Sequence, residues 1–382
     1  MKSKFLRFLQ DNISPQLELP KSSLGFRYPT LRDHPLHTAE IWLRGKQADD
    51  GAEGLWRLYD GLYDFSTFIK HHPGGSDWLE LTKGTDITEA FEAHHISTIP
   101  EKILHLYFVR KAKAPRNSPF TFEENGFYKT LKARVRKELE NVPKQPEKRS
   151  KILADILFLS FMVTSLITVR DESYIMGSLS GLFLTMTCIA AHNFFHQSDN
   201  FRMYYFDFTM MSSRILQAII EKSALRWENY IPLFHLLFLY QCSGRPFVTT
   251  LILYAFIITV GSLIFGYIGL NAGHHHPDLF HDGDEVRSPS KMDWGLHQMD
   301  SVRDRLEITG SHFLVLTTFG DHTLHHLFPT IDHGRLNYLY PIFHEVCAHF
   351  GMEMKMSTQI DLTVGQFQQL SKIEPTKRSI KG

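Results

Sequence analysis

The chain is poor in cysteine, with only Cys188, Cys242 and Cys347 among 382 residues. Three thiols so far apart exclude a disulfide framework and fit the reducing environment expected of cytosol-facing segments. Charge of one sign is missing as well, since 41 Lys and Arg balance 41 Asp and Glu. That balance leaves no electrostatic footprint for nucleic acid. The opening segment, MKSKFLRFLQDNISPQLELP, lacks a long apolar core and a small-residue cleavage site, so it does not read as a signal peptide.

Histidine is what the chain has in excess. Of 22 copies, 15 fall from His192 onward, in groups such as HNFFH, HHH and HTLHH. Scattered core histidines do not cluster in this way and a pH switch does not need so many, so the grouping points to bound metal. His192 and His196 stand four apart at the end of an apolar run, and on a continuing helix they face the same way. His322, His325 and His326 fall within an arc of roughly 100° on a helix that Pro329 ends. The HHH run cannot be used whole, because successive helical residues point about 100° apart. Asn271 and His275 share a face at four-residue spacing, which selects His275 from the run.

A second constellation lies in LYDFSTFIKHHPGGSDWLELTKGTDITEAFEAHH, from Leu62 to His95. Pro73, Gly74 and Gly75 turn the chain back directly after His72, and small residues let a flat ligand approach. Two histidines on either side of a turn, an acidic connector and a Phe form the layout of a two-histidine haem pocket. A helix-turn-helix with incidental histidines would leave the HPGG turn unexplained. The segment resembles cytochrome b5, matched by Tyr63, Asp64, Phe65 and Phe68 before HPGG and by Gly84, Asp86, Thr88 and Phe91 before the second histidine. The resemblance implies haem b with His72 and His95 as axial ligands, His94 as the fallback for the second and His71 as a solvated loop residue. Two axial imidazoles leave no open position, so such a haem exchanges electrons and does not bind oxygen.

Apolar runs of membrane length cover residues 152–169, 174–191 and 247–270. Basic residues cluster from Lys129 to Lys151 and are sparse in the RDES connector, which places the N-terminal side in the cytosol. Residues 231–241 are apolar but too short to cross alone, and extension to Leu225 admits Arg226 and Glu228. Parity decides how to read this stretch. Unless it crosses or re-enters, His192 and the later histidines emerge on opposite sides, so it reads as a distorted third span or half-hairpin.

HNFFHQ, NAGHHHP, DWGLHQ and GDHTLHHLFP together resemble the membrane fatty-acid desaturase and hydroxylase superfamily, whose histidine boxes ligate two non-haem irons. The resemblance implies His192, His196, His275, His322, His325 and His326 as iron ligands. One departure is plain: the family's second H-x-x-H-H box is absent, since residues 197–230 hold no histidine. His274, His276, His281 and His297 are the available substitutes, while His235, alone in an apolar stretch, reads as packed. Asp282, Asp284 and Glu285 read as a solvated loop.

The expected organisation is multidomain. An N-terminal segment (1–54) leads into a small α+β cytochrome b5-like haem domain (55–110) and a basic linker or helix (111–150). An all-α membrane desaturase-like helical domain with about four spans (151–350) and a C-terminal tail (351–382) follow. The function implied is a haem-containing membrane oxidoreductase of lipid metabolism, its b5 haem passing electrons to a histidine-box diiron centre for fatty-acyl desaturation. A cytochrome b5 reductase or similar NAD(P)H reductase would supply the electrons, and a membrane lipid or acyl-CoA would be the substrate. The location implied is a multi-pass position in the endoplasmic reticulum with the haem domain cytosolic. The rival reading is a membrane-anchored b5-type electron carrier whose desaturase-like domain is impaired by the missing box.

Overall fold

The computed structural model describes residues 22–25, 39–197, 201–209, 225, 227–271, 273–288 and 292–377. Most of the expected N-terminal segment and the last residues of the expected tail lie outside this set. Helix α1 (Ala39–Asp49) precedes a three-stranded antiparallel sheet of β1 (Trp56–Leu58), β2 (Gly61–Tyr63) and β3 (Phe108–Lys111), in that spatial order. Between β2 and β3 run α2 (Ser76–Leu81), α3 (Thr88–His94) and α4 (Ile99–Ile103). Trp56, Phe65, Leu79 and Ile87 close a small core, and the indole N–H of Trp56 donates to the Leu79 carbonyl at 2.9 Å. The N-terminal part is therefore the mixed α/β unit that its sequence suggests.

Helix α5 (Phe127–Glu138) clamps this unit to the rest of the chain. Its Tyr128, Leu131 and Val135 pack with Trp294, Phe328 and Phe343 of the C-terminal region. Lys129 and Lys132 reach the carboxylate of Glu92 on α3 at 2.8 and 2.7 Å. Glu92 and Lys132 are each only 1% exposed, so this pair is desolvated. Burial alone would raise the Glu92 carboxyl, but the two ammonium groups outweigh it and hold the group below the ordinary carboxylate range.

Removing one partner of such a pair leaves the other buried and uncompensated. Glu92→Ala is therefore expected to cost about 3–5 kcal/mol, read as faster proteolytic release of the N-terminal α/β unit. Glu92→Leu combined with Lys132→Met should recover most of the loss; release as slow in Glu92→Ala as in the native chain would contradict the clamp. Because the folded carboxyl lies below its unfolded value of about 4.3, the contribution is full at neutral pH. It is lost only as pH falls through the depressed folded value.

Among the described residues, three helices are long and apolar enough to span a membrane: α6 (Gln145–Arg170), α7 (Tyr174–Phe195) and α9 (Phe247–Leu270). The chain is thus a multi-pass membrane protein. Helix α7 packs against both of the others. Against α9 the approach depends on small residues: a Cβ on Gly181 would lie 2.9 Å from the Gly261 nitrogen, and one on Gly177 would lie 2.9 Å from the Phe256 ring. Thr185 Oγ1 donates to the Gly261 carbonyl at 2.7 Å, a cross-helix bond where water is absent.

The expected fourth span is corrected to a short helix. Helix α8 (Ile231–Ser243) has 13 residues, so it extends about 20 Å against a hydrocarbon thickness of about 30 Å. Gly244, in the left-handed region at φ 70°, ends it. Arg245 then donates to the Arg170 carbonyl at 2.8 Å and pairs with Glu172 at 2.7 Å, at the connection between α6 and α7. Helices α8 and α9 thus form a half-hairpin, and α9 runs parallel to α7 back towards the His192 end. The extension to Leu225 passes through Arg226, which lies outside the described residues.

Over that same end fold the short helices α10 (Trp294–Asp300), α11 (His312–Thr317), α12 (His322–Leu327), α13 (His333–Leu336) and α14 (Tyr340–His349), followed by α15 (Gln359–Ser371). Helix α11 packs on α7 and α13 packs on α6, so the C-terminal histidines are carried to the end of the bundle.

Candidate functional site

In the α/β unit His72 and His95 face each other with ring centroids 6.1 Å apart. The turn after His72 leaves the ring room only because residue 74 is glycine: a Cβ there would lie 2.8 Å from His72 Cε1. Gly75 has φ 95°, a conformation that glycine adopts without strain, and its carbonyl meets His72 Nδ1 at 2.8 Å. His95 caps the end of α3 and places Nδ1 2.9 Å from the Phe91 carbonyl. With both Nδ1 atoms protonated by this arrangement, each Nε2 keeps its lone pair. Burial pushes His95 down to about 4, so it is neutral at physiological pH. Two imidazoles at this separation fit one iron between them.

His94 turns the other way. Its Nδ1 meets the Ala90 carbonyl at 2.9 Å, and its Nε2 lies 3.2 Å from His196 Nδ1, beyond the end of α7. His71 is exposed. Consecutive residues of one short segment therefore address the haem-type pocket and the membrane part.

At the end of the helical bundle two histidine triads adjoin. His192, His325 and His333 bring one nitrogen each within 4.8 Å of the others, and His274, His322 and His326 do the same. His192 is at the end of α7, and the triads are joined through α12, where His322 and His325 stand one turn apart. Asp304, buried under α12, accepts from the backbone N–H groups of His322 and Thr323 and fixes the start of that helix. His322 Nε2 and His274 Nε2 point at each other across 2.7 Å. Burial, then the neighbouring imidazoles, holds His322 and His325 well below the usual imidazole range and His326 and His333 at about 3. All four are thus neutral donors.

The donor set fits metal. Imidazole nitrogen suits iron and zinc, and the buried Nδ1 atoms of His192 and His325 have no hydrogen-bond partner. A supporting layer orients one ligand. His333 Nδ1 donates to Asn193 Oδ1 at 2.7 Å, which frees Nε2; Asn193 Nδ2 donates to Asp332 at 2.8 Å, and Ser150 donates to the same carboxylate at 2.6 Å.

Of the residues expected from sequence, His192, His322, His325 and His326 come together in the triads. His196 lies beside the first triad, its ring 5.4 Å from those of His192 and His325. His275 joins neither triad and is exposed. The reason is the end of α9: Asn271 leaves the helix, and Gly273, at φ 93° and pressed on the Arg303 carbonyl, breaks the four-residue register and presents His274 instead. His276 packs on Gly365, and His281 and His297 stay outside both triads. His235 is buried and lies 3.1 Å from Ser165, the packed role expected of it. The loop reading of Asp284 is corrected, because the group is buried and pairs with Lys372 at 3.0 Å. His333 and Asn193 carry no spacing signal in the sequence: His333 sits alone after Pro329 and nothing ties it to a box.

Comparison with known proteins finds two families along the chain. The cytochrome b5-like heme/steroid binding domain family matches residues 43–113, and the fatty acid desaturase family matches residues 200–358. A Drosophila melanogaster cytochrome b5-related protein is 37% identical over 429 residues, covering 95% of this chain and 98% of the relative. That alignment is longer than the 382 residues of the chain, so segments of the relative have no counterpart here. A Drosophila virilis cytochrome b5-related protein is 50% identical over 136 residues, 36% of this chain and 95% of the relative. A Dictyostelium discoideum probable Delta(5) fatty acid desaturase C is 40% identical over 115 residues, 29% of this chain and 25% of the relative. No solved structure matches the chain.

Proposed function

Since the chain belongs to the cytochrome b5-related family, in which a b5 domain is fused to a fatty-acid desaturase-like domain, we propose that it is a membrane haem and diiron oxidoreductase that desaturates fatty-acyl chains. His72 and His95 would hold haem b, and the triads His192, His325, His333 and His274, His322, His326 would hold two non-haem irons. When bound, the haem supplies single electrons and the irons supply the oxygen activation that a saturated C–H bond requires.

The observation that carries the reading is the His94–His196 contact at 3.2 Å, because it joins the two sites. His95 of the haem pocket is one peptide bond from His94, and His196 lies against the first triad. The clamp of Glu92 by Lys129 and Lys132 holds this junction in register. Burial of His322, His325 and His333 keeps bulk water from their rings and keeps those imidazoles neutral. The basic segment ahead of α6 sets the haem unit in the cytosol, where a cytochrome b5 reductase or similar NAD(P)H enzyme can reach it, and the membrane is that of the endoplasmic reticulum.

A second reading has one observation in its favour. The interval 197–230 lacks the second histidine box, and the alignment with the Drosophila melanogaster relative outruns the chain. On that reading the protein is a membrane-anchored electron carrier without catalysis. The metal content of the purified chain separates the two: about two non-haem irons per haem are expected for a two-metal site, and haem alone would favour the carrier. Expression in a desaturase-deficient host should then give new double bonds that disappear in His325→Ala; double bonds that persist in the variant would reject the assignment.

A further inference from the structure

Helix α15 (Gln359–Ser371) carries apolar side chains on a face that the protein leaves uncovered. Its inner face is Leu362 and Gly365, both buried, and Gly365 meets the His276 ring so closely that a Cβ would lie 2.1 Å from Cδ2. Arg303 donates to Ser357 Oγ at 2.6 Å just before the helix, and Lys372 just after it pairs with Asp284 at 3.0 Å. Both ends are therefore pinned and the rotation of the helix is set. Facing away from that contact are Ile360, Val364, Phe367 and Leu370, of which Phe367 is 68% and Leu370 73% exposed. Steps of four, three and three residues keep them within one arc of a helix. Ile373, just beyond, is 96% exposed.

What covers this arc is indicated by its neighbour. Thr363 Oγ1 lies 3.2 Å from the hydroxyl of Tyr267, in the last turn of the spanning helix α9. Tyr267 is half exposed, and Leu263, one turn deeper on α9, is 70% exposed. A tyrosine at the end of a spanning helix marks the level where hydrocarbon gives way to water. Helix α15 thus lies at that level, and its uncovered arc continues the lipid-facing surface of α9.

We propose that α15 is an interfacial helix, with Ile360, Val364, Phe367 and Leu370 immersed in the edge of the lipid leaflet nearest the histidine triads. The occupant of the arc is lipid, because the arc adjoins Tyr267 and continues the exposed apolar surface of α9 around Leu263. The consequence reaches the site, because His276, which rests on Gly365, is two residues from His274. Lipid contact through α15 holds the segment that supplies His274 at a fixed depth. The proposal stands apart from the haem and iron assignments, since it needs neither group.

The test uses the full chain in phosphatidylcholine vesicles, with Cys242, the one exposed native thiol, changed to serine. An environment-sensitive fluorophore is attached in turn to Phe367→Cys, Val364→Cys and, on the polar flank, Gln368→Cys. Lipid carrying a nitroxide near the headgroup is expected to quench the label at positions 367 and 364 at least twofold more than at 368, and iodide to do the reverse. Equal quenching at all three positions would overturn the proposal. So would shielding of 367 and 364 from iodide without quenching by the nitroxide lipid, the signature of a protein partner or of a second copy of the chain. Two independent positions on the arc keep the test meaningful if one variant fails to insert.

Discussion

Replacing His72 with alanine is expected to abolish stable haem uptake, taking the low-spin, six-coordinate spectrum of the purified chain to background. Both axial nitrogens are needed for that spectrum, and the two rings proposed to supply them stand 6.1 Å apart. His95→Ala should do the same. His94→Phe should leave the spectrum intact, because its ring is turned towards His196 and not towards His72. The three variants together test the axial pair: a normal spectrum in His72→Ala removes it, and loss of haem in His94→Phe with retention in His95→Ala would shift the second ligand by one position. Gly74→Val should imitate the ligand loss without touching a histidine, since its side chain would occupy the space of the His72 ring.

How much of this was legible in the chain depends on whether the signal was local. The His72–His95 pair was, because HPGG encodes a turn whose tightness is a property of Pro73, Gly74 and Gly75 themselves. Box spacings were legible for the same reason: His322, His325 and His326 share a helix face wherever that helix lies, and the structure gathers them. The three long spans followed from apolar length alone. What composition could not supply was the end of α9. Taking Asn271 and His275 as one face assumed that the helix continues, and it stops at Leu270.

His333 was hidden for a different reason. It reaches the triad through tertiary packing, where α13 meets α6 and Asn193 Oδ1 of α7 accepts a hydrogen bond from its Nδ1. A residue placed by contacts between distant helices leaves no period in the sequence to read. The fourth span illustrates a third case. Parity required the stretch before α9 to cross or re-enter, and 13 residues closed by Gly244 are too few for a crossing.

The largest effect expected in the membrane part is loss of non-haem iron from His325→Ala. His325 belongs to the first triad and its ring lies 4.8 Å from that of His192 and 4.6 Å from that of His333, so removing it leaves two donors. Iron bound per haem should fall to about half or below, because a site with two imidazoles cannot hold its ion against a chelator. Asn193→Ala touches no metal position, yet it should weaken binding by about 10–100-fold, since it frees His333 to adopt the wrong tautomer. His275→Ala should change nothing, and His274→Ala should empty the second triad as His325→Ala empties the first. Elemental analysis after dialysis against graded chelator reads all four. Equal iron loss in His275→Ala and His325→Ala would mean that the end of α9 presents the wrong histidine to the site. Full iron retention in His325→Ala would mean that the triads are not where the metal sits.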